Sequence, residues 1–161
     1  MNTPPASTTA PPLIEAFFSG RVKRPPVGDL LGTEYIAYDI AKGEVHLRFT
    51  APPAFNNPAG VVHGGMLAAM LDELLAVTLT AAMREGEFNV TLDLGARFLK
   101  AARSGPIDGH GRVIKRGRAV GFVEGELRDA QGETLVRGQA TMQIQAGFTM
   151  SSSASKDITA P

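Results

Sequence analysis

HGGMLAAMLDELLAVTLTAAMREG, residues 63–86, is the stretch whose reading decides the fold. Between the glycine pair at its start and Arg84-Glu85-Gly86 at its end runs the longest apolar segment of the chain, residues 66–83. Its Leu, Ala and Met content predicts a helix. The apolar side chains run almost all the way round that helix, the pattern of one buried in a core or in a membrane. Asp72 and Glu73 stand near its middle, where carboxylates are costly in lipid, so a helix enclosed by protein is expected.

Outward from this helix the period changes from helical to alternating. Upstream, residues 34–40 and 44–49 read as two strands around Lys42-Gly43. In the second, Val45, Leu47 and Phe49 alternate with Glu44, His46 and Arg48, the mark of a half-buried strand. Residues 13–18 predict a short helix that ends before a Pro25-Pro26 break, and residues 51–60 predict an irregular loop rich in Pro, Asn and Gly. Downstream, four strand-like runs follow at 89–99, 107–115, 119–128 and 134–145. Turn residues separate the last three runs from what precedes them: Ser104-Gly105-Pro106, Arg116-Gly117-Arg118 and Ala130-Gln131-Gly132. Such short connections favour antiparallel pairing. Two strands, a long buried helix and four more strands make an α+β pattern: a central helix against a mostly antiparallel sheet of about six strands.

Composition narrows the class. A chain of 161 residues with 43% hydrophobic and 20% charged side chains fits one soluble domain, expected over residues 13–148. The Pro, Ala, Ser and Thr of residues 1–12 predict a disordered N-terminal segment, and the serine-rich residues 149–161 a flexible tail. Sixteen basic side chains balance 16 acidic ones, which argues against a nucleic-acid partner. There is no cysteine, so disulfides, thiolate metal sites and cysteine nucleophiles are excluded. With His46, His63 and His110 far apart in sequence, neither a metal centre nor a cofactor is expected. The first residues lack a basic and an apolar region of the secretory kind, so the cytoplasm is the expected location and no membrane partner is expected.

The chemistry-bearing residues lie where loop meets helix: Asn57, Gly60, His63, Gly64, Gly65 and then Asp72. Backbone N–H groups at a helix start lack intrahelical acceptors and carry the positive end of the helix dipole. Glycines there let a ligand approach, which suits an anion or a developing oxyanion. Asp72 is a carboxylate among apolar neighbours, where one is rarely buried without a partner or a purpose. By themselves these residues equally allow a tight loop-to-helix turn, a structural histidine and a paired structural aspartate.

Asn57, Gly60, His63-Gly64-Gly65 and Asp72, followed by Thr91-Leu92-Asp93-Leu94 and Phe98-Leu99, resemble the pattern of PaaI-type thioesterases of the hotdog, or 4-hydroxybenzoyl-CoA thioesterase, superfamily. The likeness spans residues 35–144. It implies the hotdog fold and hydrolysis of acyl-CoA thioesters. It further implies that the Gly64 N–H binds the thioester carbonyl oxygen and that Asp72 acts as nucleophile or as general base. Thr91 would place the water, while Asn57 and His63 orient the thioester and shape the loop. Strict alternation along 89–99 puts Val90, Leu92, Leu94, Ala96 and Phe98 on one face and Thr91 with Asp93 and Arg97 on the other. That turns Thr91 away from the helix unless a bulge intervenes or a second subunit covers the apolar face. Glu73 lies about 100° round the helix from Asp72 and is read as structural.

The one basic cluster, Lys115, Arg116 and Arg118, reads either as a solvated turn or as a contact for the phosphates of coenzyme A. Gly64 and Asp72 are eight residues apart on one helix, about 12 Å along its axis. A group attacking a carbonyl must come within about 3–3.5 Å. If both serve one thioester they belong to two chains, so a homodimer sharing its active sites is expected, and the family resemblance adds a dimer of dimers. The alternatives are a hotdog hydratase or dehydratase, which would want a His–carboxylate acid–base pair, and a non-catalytic acyl-CoA-binding module. Aryl-acetyl, short-chain and medium-chain acyl groups all remain open.

Overall fold

In the computed structural model, which describes residues 12–147, the chain begins with α1 (Pro12–Phe18), α2 (Pro26–Leu31), β1 (Glu34–Asp39) and β2 (Glu44–Ala51). A single 3-10 turn at Pro53–Phe55 leads to α3 (Gly64–Thr80). Then come β3 (Glu87–Phe98), β4 (Gly105–Arg116), β5 (Val120–Arg128) and β6 (Thr134–Ala146). Apart from Pro12, which opens α1, the two terminal segments named above lie outside the described residues.

The six strands form one antiparallel sheet in the order β1-β2-β4-β5-β6-β3. α3 lies across one face of it. The alternation read in β2 holds: Val45, Leu47 and Phe49 are buried beneath α3, while His46 and Arg48 turn to the opposite face. The helix answers with Met70, Leu71, Leu74, Leu75 and Leu79, all fully buried. Cutting any of these leucines back to alanine would cost about 2–5 kcal/mol through lost burial and the cavity left behind.

The helix can lie this close because the strands beneath it carry glycines. A β-carbon added at Gly111 would stand 2.0 Å from Thr78 Oγ1, and one at Gly121 would stand 2.6 Å from Leu79 Cδ1. Thr78 and Thr80 are buried polar residues, and each satisfies its hydroxyl by donating to a carbonyl of its own helix, Leu74 and Val77 respectively.

One element was not foreseen. The Pro25-Pro26 pair reads as a break, yet Pro26 occupies the first helical position of α2, where a missing N–H removes nothing and the fixed φ is favourable. Gly32, at φ +63°, ends that short helix in the left-handed conformation.

Candidate active site

Asp72 projects from the middle of α3 toward β3, and the Thr91 hydroxyl donates to its Oδ1 at 2.8 Å. Both residues are half-buried. Among the described residues Asp72 has no ion-pair partner, so its carboxylate is held by a hydroxyl and not neutralised by a cation.

Thr91 reaches Asp72 because the strict alternation read along 89–99 is broken by a bulge. Thr91 pairs with Met142 of β6, Asp93 pairs with Thr141, and Leu92 between them has no opposite residue. The extra residue shifts the phase. Before it, Asn89 and Thr91 face α3 while Val90 and Leu92 are exposed; after it, Leu94 and Ala96 face the core. Of the two resolutions open to the sequence, a bulge or a covered face, the structure shows the bulge. Asn89 pins the strand start to the helix, its Nδ2 donating to the Ala76 carbonyl at 3.0 Å.

At the other end of α3, His63 is the N-cap, its Nδ1 accepting the Gly65 N–H at 3.0 Å. Asn57 folds the loop, its Oδ1 accepting the N–H of Ala59 at 2.9 Å and of Val61 at 3.4 Å. Gly60 completes that turn at φ +77°. Gly64, the first helical residue, finds no acceptor for its N–H among the described residues. The candidate residues thus form two clusters on one helix: Asp72 with Thr91 in its middle, and at its start the Gly64 N–H, without an acceptor among the described residues, beside Asn57 and His63. The structure does not bring them together within one chain.

The basic cluster divides as well. Arg116 donates to both carboxylate oxygens of Glu87 at 2.6 Å and is largely buried, which ties the β4–β5 turn to the start of β3. Lys115 and Arg118 are exposed.

Glu73 points away from Asp72, as expected, but has no structural partner. It forms no hydrogen bond or ion pair among the described residues. Burial first, and then the Asp72 charge, push its carboxyl above the usual value. A sequence signal for this existed: none of Ala69, Met70, Ala76 and Val77, its neighbours one helical turn away, can pair with a carboxylate.

Residues 59–136 match the Thioesterase superfamily. A solved thioesterase candidate related to phenylacetic acid degradation, from Ralstonia eutropha JMP134, is 36% identical; the match covers 81% of this chain and 98% of that one, with a TM-score of 0.78. An esterase candidate of Saccharolobus solfataricus is 32% identical over 98 residues, 59% of this chain and 67% of that protein. Acyl-coenzyme A thioesterase 13 of Homo sapiens is 26% identical over 108 residues, 65% of this chain and 75% of that protein. Thioester hydrolysis is the reaction class these relationships support. The six-stranded antiparallel sheet carrying one long helix completes the assignment: the chain belongs to the Thioesterase superfamily, as a PaaI-type member with the hotdog fold.

Proposed function

We propose that this protein hydrolyses acyl-CoA thioesters to the free acid and CoA, at sites shared between two copies of the chain. The observation that carries the reading is the Asp72–Thr91 contact: a half-buried carboxylate oriented by a hydroxyl and left without a cation. Such a group is available either to take a proton from water or to attack the thioester carbon itself. In the first route hydroxide adds to the carbonyl carbon, the C–S bond breaks, and the thiolate leaves and is protonated. In both routes negative charge builds on the carbonyl oxygen, and the Gly64 N–H at the positive end of the helix is the donor suited to it. A hydratase would need an imidazole beside the carboxylate. His63 is engaged at the helix cap, and His46 and His110 stack on the opposite face of the sheet, ring centroids 4.3 Å apart.

The edge of the sheet supports the shared site. Among the described residues β3 pairs with β6 alone; it is 12 residues long and exposes Val90, Leu92 and Phe98. An edge of that kind is a template for another strand. A β-carbon built on Gly64 would lie 3.5 Å from the Phe98 ring, so the helix start sits at one end of β3 while Thr91 and Asp72 sit toward the other. If β3 pairs antiparallel with β3 of a second copy about a centre near Gly95, Phe98 and Gly64 of that copy come alongside Asp72 of the first. Coenzyme A phosphates would then fall to Lys115 and Arg118, since Arg116 is held by Glu87.

Release of free CoA from a panel of acyl-CoA thioesters tests the activity. Turnover by the wild-type protein that disappears in Asp72→Asn is expected, and a folded wild-type protein inert on every thioester would refute the reading. The pairing is tested by Gly95→Cys in this cysteine-free chain. Mild oxidation should give a covalent dimer on a non-reducing gel, because residues at a two-fold axis approach their own copies within disulfide reach. A product that stays monomeric sinks the proposed register.

A further inference from the structure

The outer face of β3 carries two charges that its own chain leaves unanswered. Past the bulge at Leu92, Leu94 and Ala96 pack toward the core, so Asp93, Gly95 and Arg97 stand on the opposite face, and all three are exposed. Neither Asp93 nor Arg97 makes a hydrogen bond or an ion pair among the described residues. The next strand offers them nothing. Asp93 stands opposite Thr141, and Arg97 stands opposite Arg137, a like charge that is itself held by Glu126 at 2.8 Å. Like charges directly opposite are unfavourable. Asp93 and Arg97 do not serve each other either, since four residues of extended strand hold their backbones about 13 Å apart.

Gly95, midway between them, answers to nothing in its own chain. A β-carbon there would meet only the Gln139 carbonyl oxygen, at 4.0 Å, and its φ is not positive. Glycine weakens the middle of a strand, and such a position commonly marks the approach of another backbone.

The spacing of these three residues selects one register for a second copy of the strand. In an antiparallel pair of identical strands, the place of the two-fold axis decides which residues face each other. An axis at Gly95 sets Asp93 of each copy opposite Arg97 of the other, twice over. An axis at Asp93 or at Arg97 sets a charge against its own duplicate. An axis at Leu94 or Ala96 leaves each charge opposite an uncharged residue.

Resting on the shared-site reading, we propose that Asp93 and Arg97 form a charge key for a second copy of this chain, each Asp93 pairing with Arg97 of the other copy across an axis at Gly95. The key holds the register in which Gly64 of one copy comes alongside Asp72 of the other. Two exposed ion pairs add little affinity in themselves. Their effect is selective, because a slipped strand or a foreign edge strand meets a like charge or none. With no side chain at position 95, the space over the axis is left open to the two arginines.

The test reads which chains assemble. Full-length chains carrying two different tags are co-expressed in pairs, and mixed and unmixed dimers are counted by native mass spectrometry. Two tagged wild-type chains set the statistical value, half of all dimers mixed. Arg97→Asp and Asp93→Arg each repel their own duplicates and attract one another at both contacts. Together they should give at least about nine mixed dimers in ten. The double variant Asp93→Arg with Arg97→Asp restores both contacts with itself and opposes the wild type at both. It should dimerise alone and, beside the wild type, give fewer than about one mixed dimer in ten. Both preferences should relax toward half after re-equilibration in high salt. Damage to the fold does not produce opposite preferences, and should one variant fail to fold, the other mixture decides. Statistical mixing overturns the key and leaves the shared-site reading standing. A wild-type chain that is monomeric in the same spectra overturns both.

Discussion

Asp72 and Glu73 are neighbours in sequence, yet the two flanks of α3 that they face treat a carboxylate in opposite ways. On the Asp72 side β3 supplies a hydroxyl at 2.8 Å and leaves the group oriented. On the Glu73 side α1, β1 and the start of β3 supply apolar walls and one unpaired phenol. A hundred degrees of helix rotation separates a carboxylate held by a hydroxyl from one left without a partner among the described residues. Role is set by what packs against the helix and not by residue type, which is why two adjacent acids need not share one function.

The sharpest way to break this contrast is Asp72→Asn, which keeps the shape and the Thr91 contact. It should lower kcat at least about 100-fold with the fold unchanged by circular dichroism. Wild-type turnover in that variant would move the chemistry elsewhere, with Glu73 the first place to look. Next in size is Thr91→Val, which removes the hydroxyl without altering the strand. It should reduce kcat about tenfold, the value of a hydrogen bond to a charged group; an unchanged kcat would leave Thr91 a strand residue only. Smaller again is the double change Lys115→Ala with Arg118→Ala. It should raise KM about threefold at low salt with kcat little altered, and the difference should shrink as salt is added. An unaltered KM at low salt would return the turn to plain solvated surface.

The smallest effect belongs to Glu73→Gln and concerns stability. The folded protein holds the Glu73 carboxyl above its ordinary value of 4.5, so ionising it opposes folding. The stabilisation that goes with the protonated form is complete below that ordinary value and is lost as pH rises through the higher folded value. At neutral pH the variant should therefore melt about 2 °C above wild type, and the gap should close in acid. A gap that is constant with pH would show that Glu73 is not under strain from burial.

Most of the fold could be read from period and composition, because both are local. The helix at 66–83 and the strand runs from 34 to 145 match the observed elements to within two residues at most ends. The positions that misled did so for physical reasons. Counting alternation through 89–99 assumes that every residue has an opposite number, and Leu92 does not, so plain alternation turns Thr91 away from the helix and only the ladder with β6 shows the bulge that turns it back. Pro25-Pro26 reads as a stop, although the second proline of such a pair is also a good first residue for a helix. The loop-to-helix cluster was legible because Asn57, His63 and Gly64 lie within a few residues of one another. The lining around Glu73 was not, since it is assembled from residues as distant as Phe17, Tyr35 and Phe88.

The glycines beneath α3 have a mechanical meaning. With no β-carbon at Gly111 or Gly121, the helix is seated almost directly on strand backbone, and the sheet acts as a datum from which the height of every helical side chain is set. Gly111 lies under Thr78, six residues along from Asp72 and about 9 Å away along the axis. A methyl group there would have to lift the helix or turn Thr78 aside. A lift of even 1 Å spoils a contact like that of Thr91, and misplacement on that scale is worth about 100-fold in rate. The height of the Asp72 carboxylate is thus machined into a strand that lies under a different part of the helix.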